Sequence, residues 1–196
     1  MSKLEPRQEK EEIVFRGKMF DVMHAEQPDG RVFETARRAP GVRLIITDRD
    51  KRQILLTKEF RRELNDWDYR LPGGKVFDSL DEYEAFCQTG EDILRPALQK
   101  VIGEGREEAG VDIHDAKLVK KSTLGATVEW DLYIFECNDW DISPQGQELE
   151  AGENIETDNW FTYQEVEGMI LSGEMQEERV ALILLQWLKR EESENV

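Results

Sequence analysis

The feature that most constrains this chain is a set of three glutamates just before an Ala-Gly pair. Glu104, Glu107 and Glu108 are spaced i, i+3 and i+4. At 3.6 residues per turn, the second and third side chains lie about 60° and about 40° to either side of the first, on one helical face. Like charges this close destabilise a helix unless a cation lies among them. The spacing therefore predicts a divalent metal ion bound by these carboxylates.

A glycine turn precedes the acidic segment. A short strand ends in Leu71-Pro72-Gly73-Gly74. Glycine lets the backbone approach a ligand closely, and a carbonyl oxygen is a good ligand for a hard cation. We therefore expect the Gly74 carbonyl to lie beside the carboxylates. The alternative is that the acidic segment is only a solvated helix face, which is common for such charge runs.

The strand, the glycine turn and the acidic helix together resemble the box of the Nudix hydrolases, which cleave a nucleoside diphosphate linked to another group. That box runs from Gly through five residues to Glu, then through seven residues to Arg-Glu, and ends in Glu-Glu-x-Gly and an apolar residue. The matching positions are Gly74, Glu104, Glu107, Glu108, Gly110 and Val111. The resemblance implies that Mg²⁺, with Mn²⁺ as a possible substitute, is held by Glu104, Glu107, Glu108 and the Gly74 carbonyl.

The box is longer than in the family, because an insertion separates its two halves. The interval from Gly74 to Glu104 is 104 − 74 = 30 residues, about twice the usual one. The leading Glu of the box cannot be placed by counting, and Glu91 is our candidate.

Two glycines also depart from the family pattern. Gly103 stands in place of Arg, and Gly105 in place of an apolar residue. Each glycine inside a helix costs roughly 1 kcal/mol relative to Ala, so both need a reason such as close backbone packing. In the family the Arg holds a carboxylate in place, and Arg106 or Lys100 could take over that role here.

Outside the box, the chain resembles the ADP-ribose pyrophosphatase branch. The resemblance rests on the N-terminal hairpin, on Gly125 four residues before Glu129, on Gly152-Glu153 and the tail that follows, and on the residues around the glycine turn. It implies that Arg61, Arg62, Trp67 and Glu129 bind substrate. Arg61-Arg62 could equally be a solvated charge pair, and Trp67 could belong to the core or an interface. Leu124 stands where that branch commonly has Pro, which leaves nucleoside diphosphate sugars other than ADP-ribose open.

A further carboxylate is wanted as the base that activates water, because the lone pairs of metal ligands are already committed. The loop from Gln147 to Glu153 offers Glu148, Glu150 and Glu153. Such loop residues are usually only solvated, but the resemblance places a catalytic Glu here. We choose Glu153, with Glu150 second. Glu107, or a hydroxide that needs no base, remains as a further option.

Composition restricts the possible partners and the cellular compartment. The chain has 26 Lys and Arg against 43 Asp and Glu, a net charge of −17, which argues against nonspecific binding to nucleic acid or to an anionic membrane. Cys87 and Cys137 lack paired spacing and fit a reducing compartment. No stretch approaches the roughly 18 apolar residues that span a bilayer, and the N-terminus lacks the apolar core of a signal peptide. We expect a cytoplasmic protein.

The predicted architecture is a Nudix α/β/α sandwich with a mixed sheet and an N-terminal antiparallel β extension. The expected parts are an extension over residues 1–40, a hydrolase domain over 41–190 and a charged tail over 191–196. In the resembling branch the extension packs on a second subunit, so a homodimer is expected.

The expected activity is hydrolysis of the pyrophosphate bond of a nucleoside diphosphate sugar to a nucleoside monophosphate and a sugar phosphate. A Nudix hydrolase of nucleoside triphosphates or dinucleoside polyphosphates is one alternative. A Nudix module that binds a nucleotide sugar without cleaving it is the other.

Overall fold

The structure is a computed structural model that describes residues 10–194. Residues 1–9 of the predicted extension and residues 195 and 196 of the predicted tail lie outside the described residues. The strands are β1 (Lys10–Arg16), β2 (Asp21–Glu26), β3 (Val32–Arg37), β4 (Gly41–Asp48), β5 (Gln53–Arg61), β6 (Asp66–Arg70), β7 (Val111–Thr123), β8 (Val128–Glu129), β9 (Asp131–Ile142) and β10 (Ile155–Thr162). The helices are α1 (Leu80–Thr89), α2 (Leu94–Glu107), α3 (Tyr163–Ser172) and α4 (Glu178–Glu194).

The main sheet has the strand order β10-β5-β4-β9-β7, and β6 pairs with β5. β4 and β9 are parallel, whereas the other pairs of this sheet are antiparallel. The mixed sheet is therefore confirmed. Successive residues of β4, such as Leu44 and Ile45, are fully buried on opposite faces. The apolar run of this strand reflects a sheet that is covered on both sides.

Helices cover both faces of the main sheet. Ala97 and Val101 of α2 pack with Leu44 on one face. The side chains of α3 and α4, among them Leu184 and Trp187, pack with Ile45 on the other face. The α/β/α sandwich is thus confirmed, with the apolar positions of α4 in the core as their helical spacing indicates.

The N-terminal residues form a second sheet in the order β1-β2-β3-β8. A turn at Gly30, with φ of 82°, joins β2 to β3. Several of its large apolar side chains are exposed. They are Val14, Phe15, Met19, Phe20, Val32 and Phe33. This sheet is the predicted β extension, apart from the short strand β8, which comes from the region after β7.

The insertion contains helix α1, which our sequence analysis did not assign. Ser79 caps its N-terminus by accepting a hydrogen bond from the backbone N–H of Glu82, and Gly90 ends it with φ of 69°. Arg16 of β1 donates to Glu84 of α1 at 3.1 Å, which connects the insertion to the N-terminal sheet. At the other end of the chain, residues 191–194 of the expected tail continue α4. Over residues 10–194, no helix combines the length and apolar character needed to cross a membrane.

Candidate active site

A cleft opens where the glycine turn meets helix α2, and both a group of acidic and a group of basic side chains line it. We call Glu104, Glu107 and Glu108 the acidic wall, and Arg38, Arg43, Arg61 and Arg70 the basic wall. Gly74, Glu150 and Glu153 also line the cleft. The structure therefore brings together all the predicted metal ligands, both predicted loop glutamates and one predicted substrate-binding arginine.

The glycine turn lies close to both β4 and the acidic wall. A Cβ atom on Gly73, whose φ is 146°, would lie 2.2 Å from the Val42 carbonyl oxygen, so this position needs glycine. A Cβ atom on Gly74 would lie 1.9 Å from Oε1 of Glu104 and would displace that carboxylate. The Gly74 carbonyl accepts a hydrogen bond from the backbone N–H of Val42 at 2.9 Å, which holds the turn against β4.

Lys100 neutralises part of the acidic wall. Its Nζ lies 3.0 Å from Oε1 of Glu104 and 3.3 Å from Oε2 of Glu107. Burial lowers the pKa of Lys100, but hydrogen bonds and charge from the two glutamates outweigh it and raise that pKa overall. Arg106, the other predicted replacement for the family's Arg, instead pairs with Asp112 at 2.8 Å. Lys100 is therefore the cation that holds these carboxylates.

The negative charge of Glu108 is less fully balanced by nearby groups than that of Glu104. Its carboxylate accepts a hydrogen bond from the backbone N–H of Gly73 at 2.6 Å. Burial, and then the charge of Glu104, raise the pKa of Glu108 to about 8, against the opposing effects of the Gly73 N–H and of Arg43. Burial also raises the pKa of Glu104, although Lys100 opposes the change. The acidic wall is thus short of positive charge.

The side chains of the acidic wall are not arranged as a finished metal site. Among residues 10–194, no three or more Asp, Glu, His or Cys side chains form a group that could hold a metal ion as they stand. In this arrangement Lys100 bridges Glu104 and Glu107, and the Glu108 carboxylate accepts the Gly73 N–H. The donor chemistry nevertheless suits a hard divalent cation, since carboxylate oxygens and a backbone carbonyl are its usual ligands.

The basic wall is held by buried ion pairs. Arg43 donates to the Gly73 carbonyl at 2.9 Å and to Glu177 at 3.3 Å. Arg70 donates to the same Glu177 at 3.3 Å and to Asp68 at 2.7 Å. Asp68 is fully buried and also accepts the backbone N–H of Gln176 at 2.9 Å. This network fixes the positions of Arg43 and Arg70, since each charge has partners.

Arg38 and Arg61 complete the basic wall in different ways. The Arg38 guanidinium lies 4.5 Å from the centre of the Trp130 ring, and its buried Nε has no hydrogen-bond partner among the described residues. Burial, and then the charge of Arg43, lower the pKa of Arg38. Arg61 is instead neutralised by Glu59 and Glu63, both at 2.7 Å. Among the four arginines of the basic wall, Arg38 therefore has the least compensation by hydrogen bonds and negative charge, and it would gain most from a bound anion.

The loop between β9 and β10 contributes Glu150 and Glu153 to the lining of the cleft. Its first part is anchored on the end of α2, where the Gln147 side chain donates to the Glu108 carbonyl at 2.7 Å. Its second part is exposed, and there the Glu153 carboxylate accepts the backbone N–H of Glu150 at 2.8 Å. Gly152 between them has φ of 98°, a conformation that favours glycine. The two predicted base residues thus lie on the exposed half of an anchored loop.

Three predicted substrate-binding residues lie elsewhere. In the described part of the chain, Arg62, Trp67 and Glu129 are not among the residues that line the cleft. Arg62 is exposed. Trp67 makes an edge-to-face contact with Phe60 at 5.8 Å, and Glu129 binds Arg37 at 2.9 Å. Their roles in binding stay predictions.

The two helical glycines differ in their surroundings. A Cβ on Gly105 would lie 2.5 Å from Cδ1 of Ile113, so the expected close packing is present there. A Cβ on Gly103 would meet only Oε1 of Glu107, at an ordinary 3.6 Å. Packing therefore does not explain Gly103. Glu91, our candidate for the leading Glu of the box, is exposed and pairs with Arg95 at 3.8 Å rather than with a residue of the acidic wall.

Sequence reasoning missed most of the basic wall. Arg38, Arg43, Arg70 and Glu177 were not predicted as site residues. One signal was available, because Arg43 is the only charged residue in the run Val42-Arg43-Leu44-Ile45-Ile46. A charge inside an otherwise buried strand needs a partner, and often marks a functional position.

Comparison with known proteins gives a matching protein family and a solved structure of similar fold. The family described as NUDIX domain matches residues 37–183. A solved structure, the crystal structure of an ADP compounds hydrolase, superposes with a TM-score of 0.69 at 18% sequence identity and covers 100% of this chain and 98% of its own. Curated protein sequences give no significant match.

Proposed function

The chain belongs to the Nudix family of pyrophosphohydrolases, and from this premise we propose that its substrate is a nucleoside diphosphate sugar. Hydrolysis of the pyrophosphate bond would yield a nucleoside monophosphate and a sugar phosphate. The similarity of its fold to an ADP compounds hydrolase supports this substrate class. So does the resemblance of the sequence outside the box to ADP-ribose pyrophosphatases.

The observation that carries the proposal is that the acidic wall and the basic wall line the same cleft. A diphosphate needs positive charge around its oxygens, and arginine binds phosphate in a planar, bidentate manner. Arg38 has an unpaired buried Nε, and it lies beside Arg43 and Arg61. The acidic wall opposite supplies oxygen ligands for the cations that phosphoryl chemistry requires.

Glu104, Glu107, Glu108 and the Gly74 carbonyl are the residues that would hold Mg²⁺. When bound, the ion neutralises the diphosphate and lowers the pKa of water. The chain's own part is positional. The ion pairs of Arg43 and Arg70 hold the arginines in place, so that the phosphates are oriented before any bond breaks.

Glu153 is the proposed general base. Its carboxylate is exposed, lines the cleft and contributes to raising the pKa of Glu104 by its charge, so it lies near the acidic wall. Only its Oε2 accepts the backbone N–H of Glu150, so its other oxygen can accept a proton from water, and Gly152 gives the loop freedom to adjust. Glu150 lines the same cleft and is the second choice, and Glu107 the third.

We also propose a homodimer built on the N-terminal sheet. Apolar side chains there, including Phe15 at 57% and Phe33 at 51% exposure, form the kind of surface that partners cover. Light scattering at micromolar concentration should give twice the chain mass. A monomer with full activity would contradict this.

A substrate panel tests the proposed function. Nucleotide sugars, nucleoside triphosphates and dinucleoside polyphosphates are incubated with Mg²⁺ or Mn²⁺, and phosphate is measured after phosphatase treatment. We expect the nucleotide sugars to be cleaved fastest, and chelator to abolish turnover.

Glu104→Gln should lower that activity at least about 100-fold. The matched control Glu192→Gln, an exposed position near the end of α4, should leave it unchanged. Turnover by Glu104→Gln that stays undiminished in chelator would refute the metal-dependent hydrolase. Faster cleavage of nucleoside triphosphates or dinucleoside polyphosphates would show that one of these, and not a nucleotide sugar, is the substrate class. Binding of a nucleotide sugar without turnover would indicate a module that binds it without cleaving it.

A further inference from the structure

Lys100 occupies the space between two proposed metal ligands. Its side chain, 23% exposed, reaches one turn along α2 to Glu104 and about two turns to Glu107. Within residues 10–194, these two carboxylates are its only recorded ion-pair partners. Both are proposed ligands, so the lysine and a divalent ion draw on the same two side chains.

The identity of the oxygen that Lys100 contacts on Glu104 matters for metal binding. A lysine that binds the oxygen beside the glycine turn competes with a metal ion there more directly than one bound to the other oxygen. Lys100 lies 3.0 Å from Oε1, which is also the atom closest to the Cβ position of Gly74. The ammonium group thus binds the carboxylate oxygen of Glu104 that lies nearest to Gly74.

We propose, on the basis of the metal-dependent function above, that Lys100 is a competing internal cation. Its ammonium group must leave Glu104 and Glu107 before a divalent ion binds them, so the lysine weakens metal binding while it stabilises the empty site. Two contacts to partly buried carboxylates are lost in the exchange. Gly103, where the family has an orienting Arg, leaves no second cation at the next turn of the helix.

Mn²⁺ titration of the full chain tests the competition without relying on activity. Chelator-treated, desalted protein is titrated with Mn²⁺ alone by calorimetry. We expect Lys100→Met to bind Mn²⁺ about 10-fold more tightly than the wild type, in keeping with the loss of two partly exposed ion pairs. Lys100→Arg keeps the charge and should stay near the wild-type affinity. If Lys100→Met fails to fold by circular dichroism, Lys100→Gln takes its place.

Arg106→Met is the matched control, because it removes the same charge from the same helix outside the cleft. It should change the affinity much less than Lys100→Met. Unchanged or weaker binding by Lys100→Met, or equal tightening by Arg106→Met, would overturn the competition and leave the proposed hydrolase intact. If neither the wild type nor any variant binds Mn²⁺, both the competition and the metal-dependent function are wrong.

Discussion

The two walls of the cleft solve the problem of buried charge in opposite ways. In the basic wall, Arg43 and Arg70 share Glu177, and Arg70 also binds the fully buried Asp68. In the acidic wall, Lys100 serves two carboxylates, and Glu108 has a backbone N–H and a pKa raised to about 8. Apart from Arg38, whose buried Nε has no hydrogen-bond partner among the described residues, the charges of the basic wall have partners, whereas those of the acidic wall are short of positive charge.

The difference assigns separate tasks to the two walls. The network of Arg43, Arg70, Asp68 and Glu177 gives each charge partners, so it serves to fix the geometry of the basic wall, while Arg38 is left to bind an anion. Carboxylates whose negative charge is only partly balanced by nearby positive groups favour the binding of a cation, and such groups are characteristic of functional sites. We therefore expect substitutions in the acidic wall and its loop to affect chemistry, and substitutions beneath the basic wall to affect folding.

The largest expected effect is on the chemistry, at Glu153. Glu153→Gln should lower kcat by about 10² to 10⁴, the usual contribution of a general base, while substrate binding and Mn²⁺ affinity stay near wild type. Steady-state kinetics and Mn²⁺ titration measure the two quantities. If Glu150→Gln lowers kcat and Glu153→Gln does not, the base is Glu150. If neither does, Glu107 or a reaction without a base remains.

The next effect should be on folding, beneath the basic wall. Asp68→Ala leaves Arg70 and the backbone N–H of Gln176 without their buried partner, so the free energy of unfolding should fall by about 3 kcal/mol. Glu63→Ala is the control. Its side chain is 56% exposed, lies 3.9 Å from Arg70 and pairs with Arg61 at 2.7 Å, and because such exposed ion pairs contribute little, the loss should stay within about 1 kcal/mol. Equal losses in urea unfolding would contradict the structural role of the basic wall.

A smaller effect should depend on pH, at Glu108. Its pKa rises from the ordinary 4.5 to about 8, so between these values the folded state binds more protons than the unfolded state. Stability without divalent ions should therefore fall as pH rises through this window. Charges that act on Glu108 include Glu104, Glu59 and Arg43, and of these Glu104 has a pKa raised in the same direction.

Glu108→Gln should make this pH dependence shallower, because glutamine can still accept from Gly73 but does not ionise. Urea unfolding in chelator at about pH 5.5 and about pH 8 measures it. A slope equal to that of the wild type would show that Glu108 is compensated, and the contrast between the walls would fail.

Distance along the chain explains why only one wall could be predicted. The acidic wall comes from residues 104–108, so helical spacing alone places its side chains together. The basic wall joins Glu177 to Arg43 and Arg70 across separations of 134 and 107 residues. Such contacts depend on the strand order and on the path of the chain before α4, which periodicity does not specify.

The fold shows the same division. The apolar run from Val42 to Ile46 indicates a buried strand, and the helical spacing of Val180, Ile183, Leu184 and Trp187 indicates the core face of α4. Helix α1 was missed because none of its residues is buried, so it lacks an apolar stripe. Its end signals, Ser79 and Gly90, were present in the sequence and would have located it.

The smallest expected effect tests helix α2, which bears the acidic wall. At Gly105 a methyl group would lie 2.5 Å from the buried Ile113 side chain, and overpacking should outweigh the gain in helix propensity. Gly105→Ala should therefore lower the free energy of unfolding by about 1 kcal/mol.

At Gly103 the added atom meets only Glu107 at 3.6 Å. Gly103→Ala should raise the free energy of unfolding by about 1 kcal/mol and leave Mn²⁺ affinity unchanged, because the alanine adds neither charge nor crowding. Urea unfolding and Mn²⁺ titration of both variants measure this. If Gly103→Ala instead weakens Mn²⁺ binding, Glu107 needs the open space at Gly103 to move, and the acidic wall is constrained by its helix as well as by its charge.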